Sequence, residues 1–538
     1  MARDLSQETD VRILQQAVRL LEQENGKLVA KVASLLKSIA ALQGQSGTQV
    51  QLELKALELQ LAALQKKLFG ESSERSARPT DEPKAERPRK GHGRRAQPDL
   101  PLLTITHPLP VEELVCDLCA QQLVPFEGQQ DSSREIHALR RVFVEVEHVQ
   151  PKYRCPNGCC IKSAPAPRKL VRGGRYSIGF GVQIALGKYL YHLPLERQVK
   201  QLKSEGLVID SQTLWDQINA VASHLTPVYD KIKETVLAQP VVGVDETTWR
   251  VMGNGTKAGG NASRRADGKR DTKRWQVWTL ATDSAVHYTI ADSRSTAAAA
   301  EVLGRFAGVA VCDGYAVYPA VASKQSSLSL AFCWAHVRRK FLDLDPGGVD
   351  ADCQTVLKMI GELFEVERVA PAGDSEEDLQ QRALLRSERS RPITDQIADW
   401  AKQVQVIPGS GLQGAIAYMT SHWSGLLRFL DDPRIPITNN LTERANRRPV
   451  LGRKNHYGSR SRRGTEVAAI LYTVAETAHL SGLDPYAYFE LAVERAIVGL
   501  PPLLPHQLRD EIETRAGQHL SLLEALVAQT SAAAEAPS

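Results

Sequence analysis

The stretch Val241-Val-Gly-Val-Asp245-Glu246-Thr-Thr-Trp249 decides how the rest of the chain is read. A short apolar run closing on acidic residues is a buried strand that delivers a carboxylate at its end. Side chains alternate along a strand, so Asp245 and Glu246 point to opposite faces and only one joins a given site. Downstream, RWQVWTLAT (274–282) and AVHYTIAD (285–292) read as two further strands, followed by an Ala-rich helix near 296–306. A second buried run, Gly308-Val-Ala-Val-Cys-Asp313-Gly314-Tyr315, ends on another acid, with Gly314 permitting a sharp turn after it. Strand-strand-strand-helix-strand, with carboxylates on the first and fourth strands, predicts a ribonuclease H-like core.

A third acid stands in Thr438-Asn-Asn-Leu-Thr-Glu443-Arg-Ala-Asn-Arg-Arg-Pro449. Thr438 or Asn439 can cap a helix here and Pro449 limits its end. Asn439, Glu443 and Arg447 then share one helical face. Carboxylates that converge raise one another's pKa unless cations sit between them. Their hard oxygens suit two magnesium or manganese ions, which can activate an attacking oxygen and stabilise a leaving one in phosphoryl transfer. After Glu443 the chain is basic: Arg444, Arg447, Arg448, Arg453, Lys454, Arg460, Arg462 and Arg463 fall within twenty residues. Such a run beside a metal site is read as a DNA phosphate contact rather than a solvated helix face. His336, in Cys-Trp-Ala-His-Val-Arg-Arg, is a further catalytic candidate, with a structural role as the alternative.

The 538 residues suggest three or four domains. A content of 24% charged and 42% hydrophobic residues is that of a globular protein. No eighteen-residue apolar run occurs and MARDLSQETDVR lacks a signal-peptide core, so a cytoplasmic protein is expected. Lys and Arg number 67 against 62 Asp and Glu, and the resulting +5 is concentrated in basic segments rather than spread evenly.

The eight cysteines are too few for a disulfide scaffold, and five lie between Cys116 and Cys160. Cys116-Asp-Leu-Cys119 and Cys155-Pro-Asn-Gly-Cys159-Cys160 form two knuckles able to close one structural zinc site, with either Cys159 or Cys160 as fourth ligand. Nearer the N-terminus, Val11, Val18, Asn25, Val32 and Ile39 alternate with Leu14, Leu21, Leu28, Leu35 and Leu42 at heptad spacing. That pattern predicts a parallel two-stranded coil, hence at least a homodimer. Gly44 and Gly47 interrupt it, and a second register resumes from Val50 to Leu68.

The resulting order is a coiled coil (1–70), a basic linker (71–100), a zinc-binding module (101–170) and a helical DNA-binding region (171–238). Then come the first part of the ribonuclease H-like core (239–345), a helical insertion (346–430), the second core part with Glu443 (431–482) and a C-terminal helical region (483–538). The class is multidomain α+β. In the region 171–238, two apolar-periodic runs flank Gly206, with Ser211 as cap of the second. Helix, Gly-containing turn and helix is the shape of a helix-turn-helix reader, and of any helical hairpin. The long Gly-rich basic stretch MGNGTKAGGNASRRADGKRDTKR reads as a hairpin tip between the first two core strands.

Several pieces of the chain resemble transposases of the bacterial insertion-sequence-66 family. They are LQKKLFGESSER (64–75), KYLYHLPLERQ (188–198), VDETTW (244–249), CDGYAVY (312–318), CWAHVRRKF (333–341), NNLTERANRRPVLGRKNHYGSR (439–460) and AETAHLSGLDPYAYF (475–489). The resemblance implies a DDE transposase, with Asp245, Asp313 and Glu443 as the metal-binding triad. It favours Asp245 over Glu246, which the strand argument leaves open. It implies cleavage of a phosphodiester at an element end by water, then attack of the freed 3′-hydroxyl on target DNA, with no covalent protein–DNA link. DNA, a homo-oligomeric partner and small accessory proteins of the same element are the implied partners. The irregular second cysteine knuckle departs from the family's simpler C-x-x-C. Two other functions fit the same segments: a dimeric DNA-binding regulator with an inactive core, and a simple nuclease.

Overall fold

A computed structural model of the chain describes residues 145–156, 159–252, 272–348, 350–406 and 408–515, together with 119, 121, 122 and 143. The predicted coiled coil, the basic linker, Cys116 and residues 253–271 of the Gly-rich stretch lie outside the described residues. The elements, in chain order, are β1 (Lys152–Arg154), β2 (Ile161–Ser163), α1 (Ile178–Tyr189), α2 (Leu195–Ser204), α3 (Ser211–Leu237), β3 (Val241–Met252), β4 (Thr272–Ala281), β5 (Val286–Ala291), α4 (Thr296–Leu303) and β6 (Gly308–Cys312). They continue with α5 (Val317–Ala322), β7 (Leu328–Phe332), α6 (Trp334–Leu344), α7 (Ala351–Val369), α8 (Glu376–Leu385), a π-turn (Arg386–Ser390), α9 (Arg391–Gln403) and α10 (Gly411–Ser421). The last are α11 (Trp423–Leu426), α12 (Arg428–Asp431), α13 (Asn440–His456), α14 (Arg462–Leu480), α15 (Pro485–Ile497) and a 3₁₀ turn (Pro505–Leu508). The protein is therefore mixed α+β. No described helix is long and apolar enough to cross a membrane.

The chain divides into two units. Of the described residues, the first holds Pro240–Gly243 and Ala307–Asn440, and the second holds those up to Gln239, Val244–Phe306 and those from Leu441 on.

In the first unit, Val241, Val242 and Gly243 pair in parallel with Val309, Ala310 and Val311, and β6 pairs in parallel with β7. Parallel strands are covered on both faces and read as continuous apolar runs, as GVAVC and LSLAF do. Helices α6, α7, α9, α10 and α12 bury Trp334, Phe341, Ile360, Leu363, Ile397, Met419 and Phe429 into one core with Val311 and Ala331. Arg386, on the π-turn, is buried there. Its guanidinium donates to both carboxylate oxygens of Glu367 at 2.8 and 2.7 Å and to the Phe429 carbonyl at 2.7 Å. A buried cation persists only with such a full set of acceptors.

In the second unit, β3 runs on to Met252 beside β4, and β4 pairs antiparallel with β5 from Gln276↔Ala291 to Ala281↔Val286. An edge strand exposes unpaired backbone groups unless something covers it. Here α14 does so: Thr477 Oγ1 accepts from Val286 N–H at 3.2 Å and Thr473 Oγ1 from Tyr288 N–H at 2.9 Å. The 27-residue α3 buries Leu214, Ile218, Val221, Leu225, Val228, Ile232 and Val236 at helical spacing.

Three details depart from the sequence reading. Residues 178–237 form three helices rather than two runs. The cap of α3 is Asp210, not Ser211: its carboxylate accepts the Thr213 N–H at 2.7 Å, a charge-assisted bond that a serine cap would not match. Pro449 does not end α13, which continues to His456. A proline inside a helix leaves the carbonyl four residues back without its N–H donor, and that carbonyl, on Ala445, accepts instead from the Tyr288 hydroxyl at 2.8 Å.

Candidate active site

Asp245 lies in β3, half-buried. Its Oδ1 accepts the Glu246 N–H at 2.8 Å, and its Oδ2 accepts from the Asn446 side-chain amide at 2.7 Å. Asn446 in turn accepts, at Oδ1, from the hydroxyl of Thr279 on β4. Asn446 and Thr279 are both buried. On α13, Asn446 stands three residues after Glu443, and residues at that spacing are neighbours on a helix surface. The second unit thus brings Asp245 to the turn of α13 that carries Glu443.

The packing of α13 follows from the β4–β5 ladder. Thr279 and Tyr288 are register partners, so their side chains rise from one face of the sheet. They reach consecutive residues of α13, Tyr288 taking the Ala445 carbonyl and Thr279 the Asn446 amide. The residue of α13 that meets Asp245 is therefore Asn446, a neighbour of Glu443 on the helix surface that the sequence reading did not single out. Asn439 precedes the helix and donates its N–H to Cys333 Sγ at 3.2 Å within the first unit, while Arg447 is exposed.

The side chain of Glu246 is buried and accepts from Arg294, whose Nε lies 2.9 Å away. Buried parity along β3 changes across this point: Val242 and Val244 are buried before it, Trp249 and Val251 after it. Beyond α13, Ser459 joins Val251 in a parallel bridge, and its hydroxyl accepts from Trp249 Nε1 at 3.1 Å. Gly458 allows this approach: its φ is +98°, and a Cβ there would stand 2.1 Å from the Arg250 carbonyl oxygen.

Asp313 and His336 belong to the first unit. Asp313 follows β6 directly, and its Oδ1 accepts the Tyr315 N–H at 3.0 Å, which shapes the turn into α5. The chain bends at Gly314, as read, but without a left-handed φ. Glycine is needed for space: a Cβ would meet the Tyr418 ring at 2.5 Å, and the Gly314 N–H donates to the Tyr418 hydroxyl at 3.1 Å. Burial pushes that phenol up to about 12. His336 sits half-buried in the first turn of α6.

The basic run after Glu443 separates into two groups. Arg444, Arg447, Lys454, Arg460 and Arg462 are exposed. Arg448 pairs with Glu476, Arg453 donates to the Thr248 backbone and hydroxyl, and Arg463 donates to Asn219 and Ser223 on α3. Those three act within the fold. A cation that the run does not contain joins them from α1: half-buried Lys188 lies 5.7 Å over the Tyr189 ring, and burial and then Arg460 push it down to about 8. Nearby, the Tyr472 hydroxyl stands 3.2 Å from His456 Nε2, and Tyr189 packs edge-on against Tyr472. Burial, with Lys188 a smaller contributor, pushes His456 down to about 3.

At the cysteine cluster, β1 and β2 form an antiparallel hairpin, and the Cys155 N–H donates to the Cys160 carbonyl at 2.9 Å to close its turn. Cys155, Cys159 and Cys160 all lie in that turn, Cys159 and Cys160 exposed, as is Cys119.

Asn446 and Thr279 are the site residues that sequence reading missed. Asn446 had one available signal, its i+3 spacing from Glu443. Thr279 had none, since it is 167 positions from its partner.

Residues 173–467 match the model of the transposase IS66 family. The chain belongs to that family. A relative from Sinorhizobium fredii (strain NBRC 101917 / NGR234), the uncharacterized protein y4jD, is 33% identical over 369 residues, spanning 65% of this chain and 69% of its own length. Another from the same organism, y4hP, is 29% identical over 406 residues, 69% of each chain. Among solved structures, the Mos1 strand transfer complex aligns over 49% of this transposase-family chain and 79% of its own, at 12% identity and a TM-score of 0.13. The Mos1 transposase paired-end complex with left transposon end aligns at 11% identity and a TM-score of 0.12, covering 49% and 80%. Scores this low carry no argument about fold or chemistry.

Proposed function

We propose that this family member is an active DDE transposase that cleaves DNA at the ends of its element and joins the freed 3′-hydroxyl to target DNA. The observation that carries the reading is the hydrogen bond from Asn446 to Asp245, one helical turn from Glu443. Support comes from the second unit, where β4 lies beside β3 and pairs antiparallel with β5, as the first three strands of a ribonuclease H-like core would.

Asp245, Asp313 and Glu443 offer only hard carboxylate oxygens, the donor set of magnesium or manganese. Two such ions held there would supply activation of the attacking oxygen and stabilisation of the leaving one. The protein's own residues orient these carboxylates and bind the substrate. Exposed Arg444, Arg447, Lys454, Arg460 and Arg462 neutralise DNA phosphates without reading sequence. His336 is proposed to approach the scissile phosphate. Cys116, Cys119, Cys155 and either Cys159 or Cys160 are proposed to hold one structural zinc, whose thiolate donors suit a closed tetrahedral site. The active form is proposed to be at least a dimer, working in the bacterial cytoplasm with small proteins of the same element.

Strand transfer of a precut element end into plasmid DNA tests the reading. Asp245→Asn, Asp313→Asn and Glu443→Gln are each expected to lower joining by at least about 10²-fold with DNA binding retained. Near-normal joining by any one of them overturns the triad. Binding without cleavage in magnesium identifies a regulator, and hydrolysis without joining identifies a nuclease.

A further inference from the structure

We propose that Asn446 and Thr279 are positioning residues that set the plane of the Asp245 carboxylate for metal binding; the inference rests on Asp245 being a metal ligand. A carboxylate only accepts hydrogen bonds, whereas an asparagine side chain has one accepting and one donating end. Asn446 must therefore present its NH₂ to Asp245, which leaves its Oδ1 facing Thr279. The Thr279 hydroxyl donates to that oxygen. A threonine hydroxyl rotates freely, but here its partner is an acceptor, so its proton is committed and the amide cannot flip without losing both bonds.

The pair is anchored on elements that are themselves fixed. Thr279 lies at 0% exposure in β4, opposite Tyr288, and Tyr288 grips the preceding residue of α13. Asp245 thus receives Asn446 at Oδ2 and its neighbour's N–H at Oδ1, 2.7 and 2.8 Å away. Two donors on two oxygens define both the tilt and the rotation of the group. The same helical turn carries Glu443, so one contact registers two acidic residues to each other. This assigns a role to the asparagine of the ERANR segment and to a threonine that no motif contains.

The test compares Thr279→Val, Thr279→Ser, Asn446→Ala and Asp245→Asn in the full-length protein. Mn²⁺ binding is measured by electron paramagnetic resonance, and strand-transfer kcat and KM for DNA are measured beside it. Groups that orient a metal ligand typically contribute 10- to 100-fold in metal affinity or activity. Thr279→Val and Asn446→Ala are expected to weaken Mn²⁺ binding about tenfold or more and to lower kcat, with KM for DNA unchanged. Thr279→Ser keeps the donor and is expected to restore both. Thermal melting separates this from misfolding, because Thr279→Val is nearly isosteric. If Asp245→Asn abolishes Mn²⁺ binding while Thr279→Val binds as the parent does, the positioning role is refuted and the catalytic reading stands. If Asp245→Asn itself binds Mn²⁺ and joins DNA normally, the underlying reading fails.

Discussion

The replacement of a helix's own hydrogen bond by a tyrosine can be tested by a double-mutant cycle. Pro449 denies the Ala445 carbonyl its usual partner, and Tyr288 supplies a substitute from β5 at 2.8 Å. Burial keeps this phenol protonated far above the ordinary tyrosine range, so it remains a donor at any working pH. Tyr288→Phe strands a buried carbonyl, which costs about 1–3 kcal/mol. At about 2 kcal/mol, and about 1.4 kcal/mol per factor of ten, the opening equilibrium of α13 shifts roughly 30-fold. Amide hydrogen exchange over 446–456 reads this local opening, which a global melt of a multi-unit chain would blur. Pro449→Ala restores the N–H that the Ala445 carbonyl lacks. In that background Tyr288→Phe is expected to cost no more than about 0.5–1 kcal/mol, leaving a coupling of about 1 kcal/mol or more. Equal losses in both backgrounds would refute the substitution of one donor for the other.

Three further outcomes concern ionisable side chains. His287 is fully buried against the Tyr229 ring, 4.4 Å away, and burial, with Lys233 a lesser cause, pushes it down to about 3. The unfolded chain then binds the extra proton between its ordinary pKa near 6.5 and 3, so stability falls as pH drops through that window. At pH 5 the loss is about 2 kcal/mol per such histidine. His287→Phe should flatten the decline in stability between pH 6.5 and 4, and an unchanged slope counts against the assignment. Among the arginines after Glu443, Arg447→Ala is expected to weaken DNA binding for all sequences and lower the salt slope by about one. Arg448→Ala, which removes the partner of Glu476, should instead lower the melting temperature.

Much of this protein's organisation was legible because the signals are local. VVGV and GVAV are apolar runs too short for helices, and each lies in a strand. Asp313 follows β6 directly, as read, whereas Asp245 lies inside β3, which runs on past it to Met252. The basic character of α13 was equally plain, but not its division of labour. Whether an arginine meets phosphate or a buried carboxylate depends on what packs over it, and Arg448 and Arg447 are indistinguishable in sequence. Pro449 was misread for a related reason. Its effect on a helix depends on whether a donor from elsewhere reaches the carbonyl it abandons, and that donor lies 157 residues earlier.

By itself, then, the sequence determined the strand and helix types, the acid that follows β6 and membership of a transposase family, since periodicity, caps and motifs act over a few residues. Only the tertiary structure decided which face of α13 meets Asp245, why glycine stands at 314, and which cations serve the fold. Those outcomes depend on contacts between residues far apart in the chain, such as Asp245 with Asn446 across 201 positions. Hydrogen-bond complementarity at such contacts exists only once the elements have packed.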